Sequence, residues 1–176
     1  TFWRRHWLDI PVSLYGCGVL ISSLMSPYPR LAWNGTLWCE DGLLLLGMGL
    51  ALYWGTRLLV RDAAHFHVLL VAISLAGGSV ALLGILDEFG GMGFNPVYAG
   101  KRLCGTFGNP MLMGLYLAMV LPIAMGAALT SSAIRWRRVL WGVSLFIGFA
   151  LILTLTRGAW VGCASALIVM LLWLPG

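Results

Sequence analysis

Charge is what this sequence has least of. Only 10% of its 176 residues are Asp, Glu, Lys or Arg, against about 25% in a soluble domain. With 60% hydrophobic residues and a mean hydropathy of +0.92, so few polar groups could not cover a water-soluble fold of this size. Acids are scarcest, six in all, and no run of them is spaced along an apolar stretch, which excludes a pump-like proton relay. There is no nucleotide-binding loop, no GxSxG and no zinc motif. His65 and His67 flank Phe66, but an HxH pair without further ligands does not make a metal site; no metal and no other cofactor is expected. The four cysteines, Cys17, Cys39, Cys104 and Cys163, form no CxxC pair. Cys17 and Cys163 fall in apolar stretches and read as small hydrophobes. Pairing of Cys39 with Cys104 stays open. An initiator Met and a signal-peptide pattern are also absent, so the chain reads as part of a longer protein.

What remains is apolar and long. A membrane-crossing helix needs about 20 mostly apolar residues, range about 17–25. Six segments qualify, approximately residues 10–26, 43–60, 66–86, 111–129, 139–155 and 158–174. The expected fold class is therefore all-α, a polytopic transmembrane bundle of about six spans forming a single domain over 1–176. Ser26-Pro27-Tyr28-Pro29 ends the first span, because Pro cannot continue a helix. Gly90 to Pro96 is loop, and Arg135-Trp136-Arg137-Arg138 divides the fourth span from the fifth. The stretch Val139–Leu174 is nearly continuous, yet as one helix it would overrun a hydrocarbon core of about 30 Å. It must turn back at its polar interruption, Thr154-Leu155-Thr156-Arg157-Gly158. Nine Trp and five Tyr suit the two membrane–water interfaces.

Six spans place the breaks on alternating sides. One side collects Arg4, Arg5, Arg57, Arg61, Arg135, Arg137 and Arg138; the other collects Arg30, Lys101, Arg102 and Arg157. The richer side is expected to be cytoplasmic, with the amino end inside and the loops 27–42, 87–110 and the turn at Arg157 outside. The net charge of +5 does not indicate nucleic acid, because the cations sit singly or in short clusters between spans. The lipid bilayer is the first partner. Gly47, Ala51 and Gly55, and likewise Gly158, Gly162 and Ala166, recur every four residues, a spacing that lets helices approach closely.

Two polar segments carry candidate chemistry. In Lys101-Arg102-Leu103-Cys104-Gly105-Thr106-Phe107-Gly108-Asn109-Pro110, two cations lead into a Gly-rich turn. Asn109 suits a helix N-cap and Pro110 a first helical position. Free N–H groups beside cations make either an anion site or a capped helix start with snorkelling cations. Arg157 follows Thr154 and Thr156 at the amino end of the last span, where the helix dipole disfavours a cation. Either it grips a phosphate or it anchors a hairpin at the interface. Asp87-Glu88 and Glu40-Asp41 read as solvated helix-end acids. Asn34-Gly35-Thr36 matches a glycosylation sequon, a pattern that often occurs by chance.

Arg102-x-x-Gly105-Thr106-Phe107-Gly108-Asn109-Pro110, followed by Leu115-Tyr116-Leu117-Ala118 and Leu121-Pro122, resembles the O-antigen ligase and polymerase superfamily. Downstream, Leu153-Thr154-Leu155-Thr156-Arg157-Gly158-Ala159-Trp160 is similar to that family's Ser/Thr-Arg-Gly-Ala signature, and Ser26-Pro27-Tyr28-Pro29 before a further span also fits. The resemblance implies a bacterial inner-membrane glycosyltransferase of polysaccharide biosynthesis, metal-independent, taking glycans from an undecaprenyl-diphosphate carrier at the periplasmic face. Arg157 would bind the diphosphate, with Arg102, Lys101, Thr106 and Asn109 as further substrate-binding candidates. It covers only the amino-terminal or middle part of the family, whose members run to about twice this length with ten or more spans. Their further Arg and His residues lie in a large periplasmic loop that this sequence does not contain. Some relatives carry a bicarbonate-transporter label, which implies instead an anion path lined by Lys101, Arg102 and Arg157. A third reading is a non-catalytic membrane subunit packed against other subunits.

Overall fold

The computed structural model describes residues 8–35, 42–90 and 102–173. All its regular elements are helical: α1 (Asp9–Leu24), α2 (Pro29–Asn34), α3 (Leu43–Leu59), α4 (Ala63–Gly90), a 3-10 turn (Gly105–Phe107), α5 (Pro110–Thr130), α6 (Ile134–Leu153) and α7 (Arg157–Trp173). Among the described residues three helices are long and apolar enough to cross a membrane: α4 with 28 residues, α5 with 21 and α6 with 20. At about 1.5 Å per residue these run about 42, 32 and 30 Å. The apolar helices α1, α3 and α7 are shorter, at 16, 17 and 17 residues.

The chain divides into two compact units, Thr1–His65 and Phe66–Gly176. In the first, α1 and α3 run antiparallel. A Cβ at Gly16 would lie 2.9 Å from a Leu50 methyl. Towards the other end, Arg57 Nη2 and Nε donate to the Asp9 carboxylate at 2.7 and 3.1 Å, and Tyr53 Oη donates to it at 2.7 Å. The carboxylate thus accepts three hydrogen bonds from two side chains, Arg57 and Tyr53. Nothing in the spacing of the sequence pairs Asp9 with Arg57; antiparallel packing brings them together.

In the second unit α4, α5, α6 and α7 alternate in direction. Leu70 and Val71 of α4 pack near Ala127, Ala128 and Leu140 at one end. Gly77 meets Val120 and Ile147 midway, and Gly84 meets Met113 and Leu103 at the other end. The core comprises Ala81, Met113, Leu117, Val120, Ala124, Ile147, Ala150, Ala159 and Cys163 with their neighbours. The face that α4 buries is made of small residues, Ser74, Gly77, Ala81 and Gly84. A Cβ would stand 2.5 Å from Val120 Cγ1 at Gly77 and 2.5 Å from Met113 Cε at Gly84, so bare backbone lets the helices close up.

That stripe corrects the expectation of packing through Gly47, Ala51 and Gly55 and through Gly158, Gly162 and Ala166. Among the described residues nothing lies within 4 Å of a Cβ built at Gly47, Gly55, Gly158 or Gly162, and Ala51 and Ala166 are exposed. The small residues that α4 buries step by three and four, at 74, 77, 81 and 84, and so share one helix face; the four-residue stripes of α3 and α7 lie on faces that meet no neighbour among the described residues.

Candidate functional site

The turn between α6 and α7 and the segment leading into α5 form one hydrogen-bonded assembly at one end of the second unit. Its origin is the carboxyl end of α6. A helix leaves its last four carbonyls without intrahelical partners, and an apolar surrounding gives them none. Here each one is supplied. Ala150 O accepts from Thr154 N at 3.2 Å, and Ile152 O accepts from Leu155 N at 3.0 Å. Leu151 O accepts from Thr154 Oγ1 at 2.7 Å and from Trp160 Nε1 at 3.1 Å. Leu153 O accepts from Leu103 N at 3.1 Å.

The next two carbonyls go to Arg102. Its Nε donates to Thr154 O at 3.0 Å and its Nη2 to Leu155 O at 3.2 Å, with Thr156 Oγ1 a further acceptor 3.1 Å from Nη2. Thr156 Oγ1 stands 3.1 Å from Pro110 O and 3.3 Å from Thr154 O, either of which takes its proton. Thr154 is fully buried and Thr156 nearly so. A cation at the negative end of the α6 dipole is favourable. Leu155 needs that help, because its φ of 51° is a left-handed conformation that costs a side-chain-bearing residue roughly 1–2 kcal/mol. Hydrogen bonds from a charged donor are worth about 1.5–3 kcal/mol each, enough to hold the turn.

Glycines make the approach possible. Gly114 faces the turn, and a Cβ there would lie 3.0 Å from Thr154 Oγ1 and 3.0 Å from Thr156 Cβ. Gly105 has φ +47°, and its Cβ would stand 2.8 Å from Gly84 Cα. Only glycine meets both demands. Gly108 turns left-handed at φ 67° ahead of Asn109, whose Oδ1 accepts from Met111 N at 2.8 Å and caps α5, with Pro110 opening the helix. The Phe107 and Tyr116 rings pack at 5.2 Å between centroids.

The candidate residues therefore separate. Arg102 is half-buried, and its Nε and Nη2 are committed to the protein. Asn109 is a helix cap. Thr106 is exposed on the 3-10 turn. Arg157 is exposed at the first position of α7, with no hydrogen-bond or ion-pair partner among the described residues. Lys101 lies outside the described residues, as do Cys39, Glu40 and Asp41. The carboxylates of Asp87 and Glu88 belong to this end too. Burial pushes the Cys104 thiol above its ordinary range, and the two carboxylate charges push it further. His65 is engaged elsewhere, its Nδ1 standing 2.7 Å from Asp62 Oδ1.

Sequence reasoning missed the carbonyls of Thr154 and Leu155 as the receivers of Arg102, and Trp160 as a cap. The signal available was general: a helix ending at a polar break needs donors. The chain matches no protein family, no curated protein and no solved structure.

Proposed function

We propose that this chain is part of a membrane glycosyltransferase of the O-antigen ligase type, a six-span bundle of the bacterial inner membrane with its amino end cytoplasmic. In this reading the end carrying Arg102 and Arg157 faces the periplasm and receives an undecaprenyl-diphosphate-linked glycan. Arg157 grips the diphosphate, whose paired oxygens suit the planar guanidinium fork. Thr106 is an exposed hydroxyl on the loop segment that carries Arg102. The acid–base groups of transfer come from elsewhere in the full protein.

The observation that carries the reading is the interlock of the two resemblance-bearing motifs. They are far apart in sequence, yet Arg102 bonds to Thr154, Leu155 and Thr156, and Thr156 bonds to Pro110. The interlock leaves Arg157 exposed and without a protein partner among the described residues. A cation that is neither paired nor placed to favour its own helix dipole is available to a ligand.

The experiment is glycan transfer from a polyprenyl-diphosphate donor by the full-length protein in proteoliposomes. Arg157→Ala is expected to lower transfer on the order of 10²-fold, as removal of one preorganised donor does, with Arg157→Lys between the two. Unchanged transfer would overturn the phosphate role. On the alternative reading, an anion path lined by Lys101, Arg102 and Arg157, the same vesicles show anion flux that Arg157→Ala abolishes.

A further inference from the structure

We infer that Arg102 is a positioning residue that acts through Arg157: it holds the Thr154–Leu155–Thr156 turn so that α7 starts where Arg157 meets its ligand. The inference rests on the reading of Arg157 as the phosphate-binding cation. Three residues, 154 to 156, connect α6 to α7, so their backbone angles set where Arg157 stands. One of them, Leu155, is in a left-handed conformation at φ 51°. Among the described residues, Arg102 Nη2 is the donor to Leu155 O, and Arg102 Nε is the nitrogen donor to Thr154 O from outside the turn.

The geometry is specific to arginine. Two nitrogens of one rigid plane span two successive carbonyls, and the second also reaches Thr156 Oγ1 at 3.1 Å. A lysine places one point donor on a flexible stem and cannot brace both carbonyls in a fixed plane. The turn is clamped from the other side by α5, through Thr156 Oγ1 to Pro110 O at 3.1 Å and through the bare face of Gly114. Arg102 thus joins the loop before α5 to the start of α7, and the position of Arg157 depends on both.

A double-mutant cycle on glycan transfer by the full-length protein separates positioning from direct contact. Arg102→Gln is expected to raise KM for the polyprenyl-diphosphate donor on the order of 10- to 100-fold, the scale of a small misplacement. Combined with Arg157→Ala it adds little, because the residue it positions is already gone. Effects that multiply would mean that Arg102 touches the substrate itself and would overturn the inference. A second measurement needs no activity. In Arg157→Cys protein carrying a nitroxide and embedded in lipid vesicles, Arg102→Gln is expected to change the label's mobility and its accessibility to oxygen. Thr156→Val should shift both the same way, and Arg135→Gln should leave them alone. An unchanged label in both turn variants would overturn the inference whatever the transfer assay shows. A silent Arg157→Ala with a shifted label would instead sink the phosphate reading and keep the positioning role.

Discussion

The two ends of α6 are closed by turns of equal length and opposite character. Ser131-Ser132-Ala133 joins α5 to α6, and Thr154-Leu155-Thr156 joins α6 to α7. The first leads into the exposed arginines Arg135, Arg137 and Arg138, with Ser132 and Ala133 also exposed. The second buries two threonines and receives Arg102 from a distant segment. A connection at a membrane face needs only polar residues and water for its backbone groups. The first turn buries one hydroxyl residue, Ser131, and among the described residues receives no charged donor from a distant segment. The second has a buried polar network that is costly to break, and just beyond it stands Arg157, exposed and without a partner among the described residues.

The difference can be broken from its strongest point downwards. Arg102→Ala removes the charged donor from two carbonyls and should cost about 3 kcal/mol or more, read as a lower thermal midpoint in detergent. An effect under about 0.5 kcal/mol would make the interlock incidental. Gly105→Ala should cost about 2 kcal/mol, since φ +47° strains any side chain and Gly84 Cα stands 2.8 Å from the new Cβ. Leu155→Gly has the opposite sign. Glycine relieves the φ of 51°, and at an exposed position it should stabilise by about 1 kcal/mol. On the plain side of the comparison, Arg135→Ala and Arg137→Ala should stay within about 0.5 kcal/mol.

A pH effect is expected outside the bundle. Asp62 caps α4, its Oδ1 accepting from His65 N at 2.8 Å. This backbone hydrogen bond, followed by the contact with the His65 ring, holds its carboxyl below the ordinary range. The folded pKa is depressed, so the cap is fully present above the ordinary carboxylate pKa and is lost as pH falls through the lower, folded value. Amide exchange at the first turn of α4 should quicken in that acid window, and Asp62→Asn should flatten the dependence while keeping a cap.

Much of this was legible in the sequence, for physical reasons that differ by element. Segment lengths and hydropathy located the apolar helices because a bilayer sets a length scale. The break after Leu153 was legible because no single helix fits the run from Val139 to Leu174. Asn109 and Pro110 announced the start of α5 by local chemistry. What was not legible depends on which faces meet. The buried small stripe of α4 was hidden behind more regular glycine spacings in α3 and α7. The Asp9–Arg57–Tyr53 cluster and the bonds from Arg102 to the Thr154 and Leu155 carbonyls join residues that only packing brings together. Arg102 and Arg157 looked alike as cations beside polar turns; in the structure Arg102 is committed to backbone carbonyls, whereas Arg157 is exposed with no partner among the described residues.

That separation is tested most directly by transfer of a polyprenyl-diphosphate-linked glycan in vesicles containing the full-length protein, comparing Arg157→Ala with the unaltered chain. The account predicts transfer reduced on the order of 10²-fold with the thermal midpoint unchanged, because Arg157 bonds to nothing in the described fold. Full transfer by Arg157→Ala, or a loss explained by a lowered thermal midpoint, would contradict it.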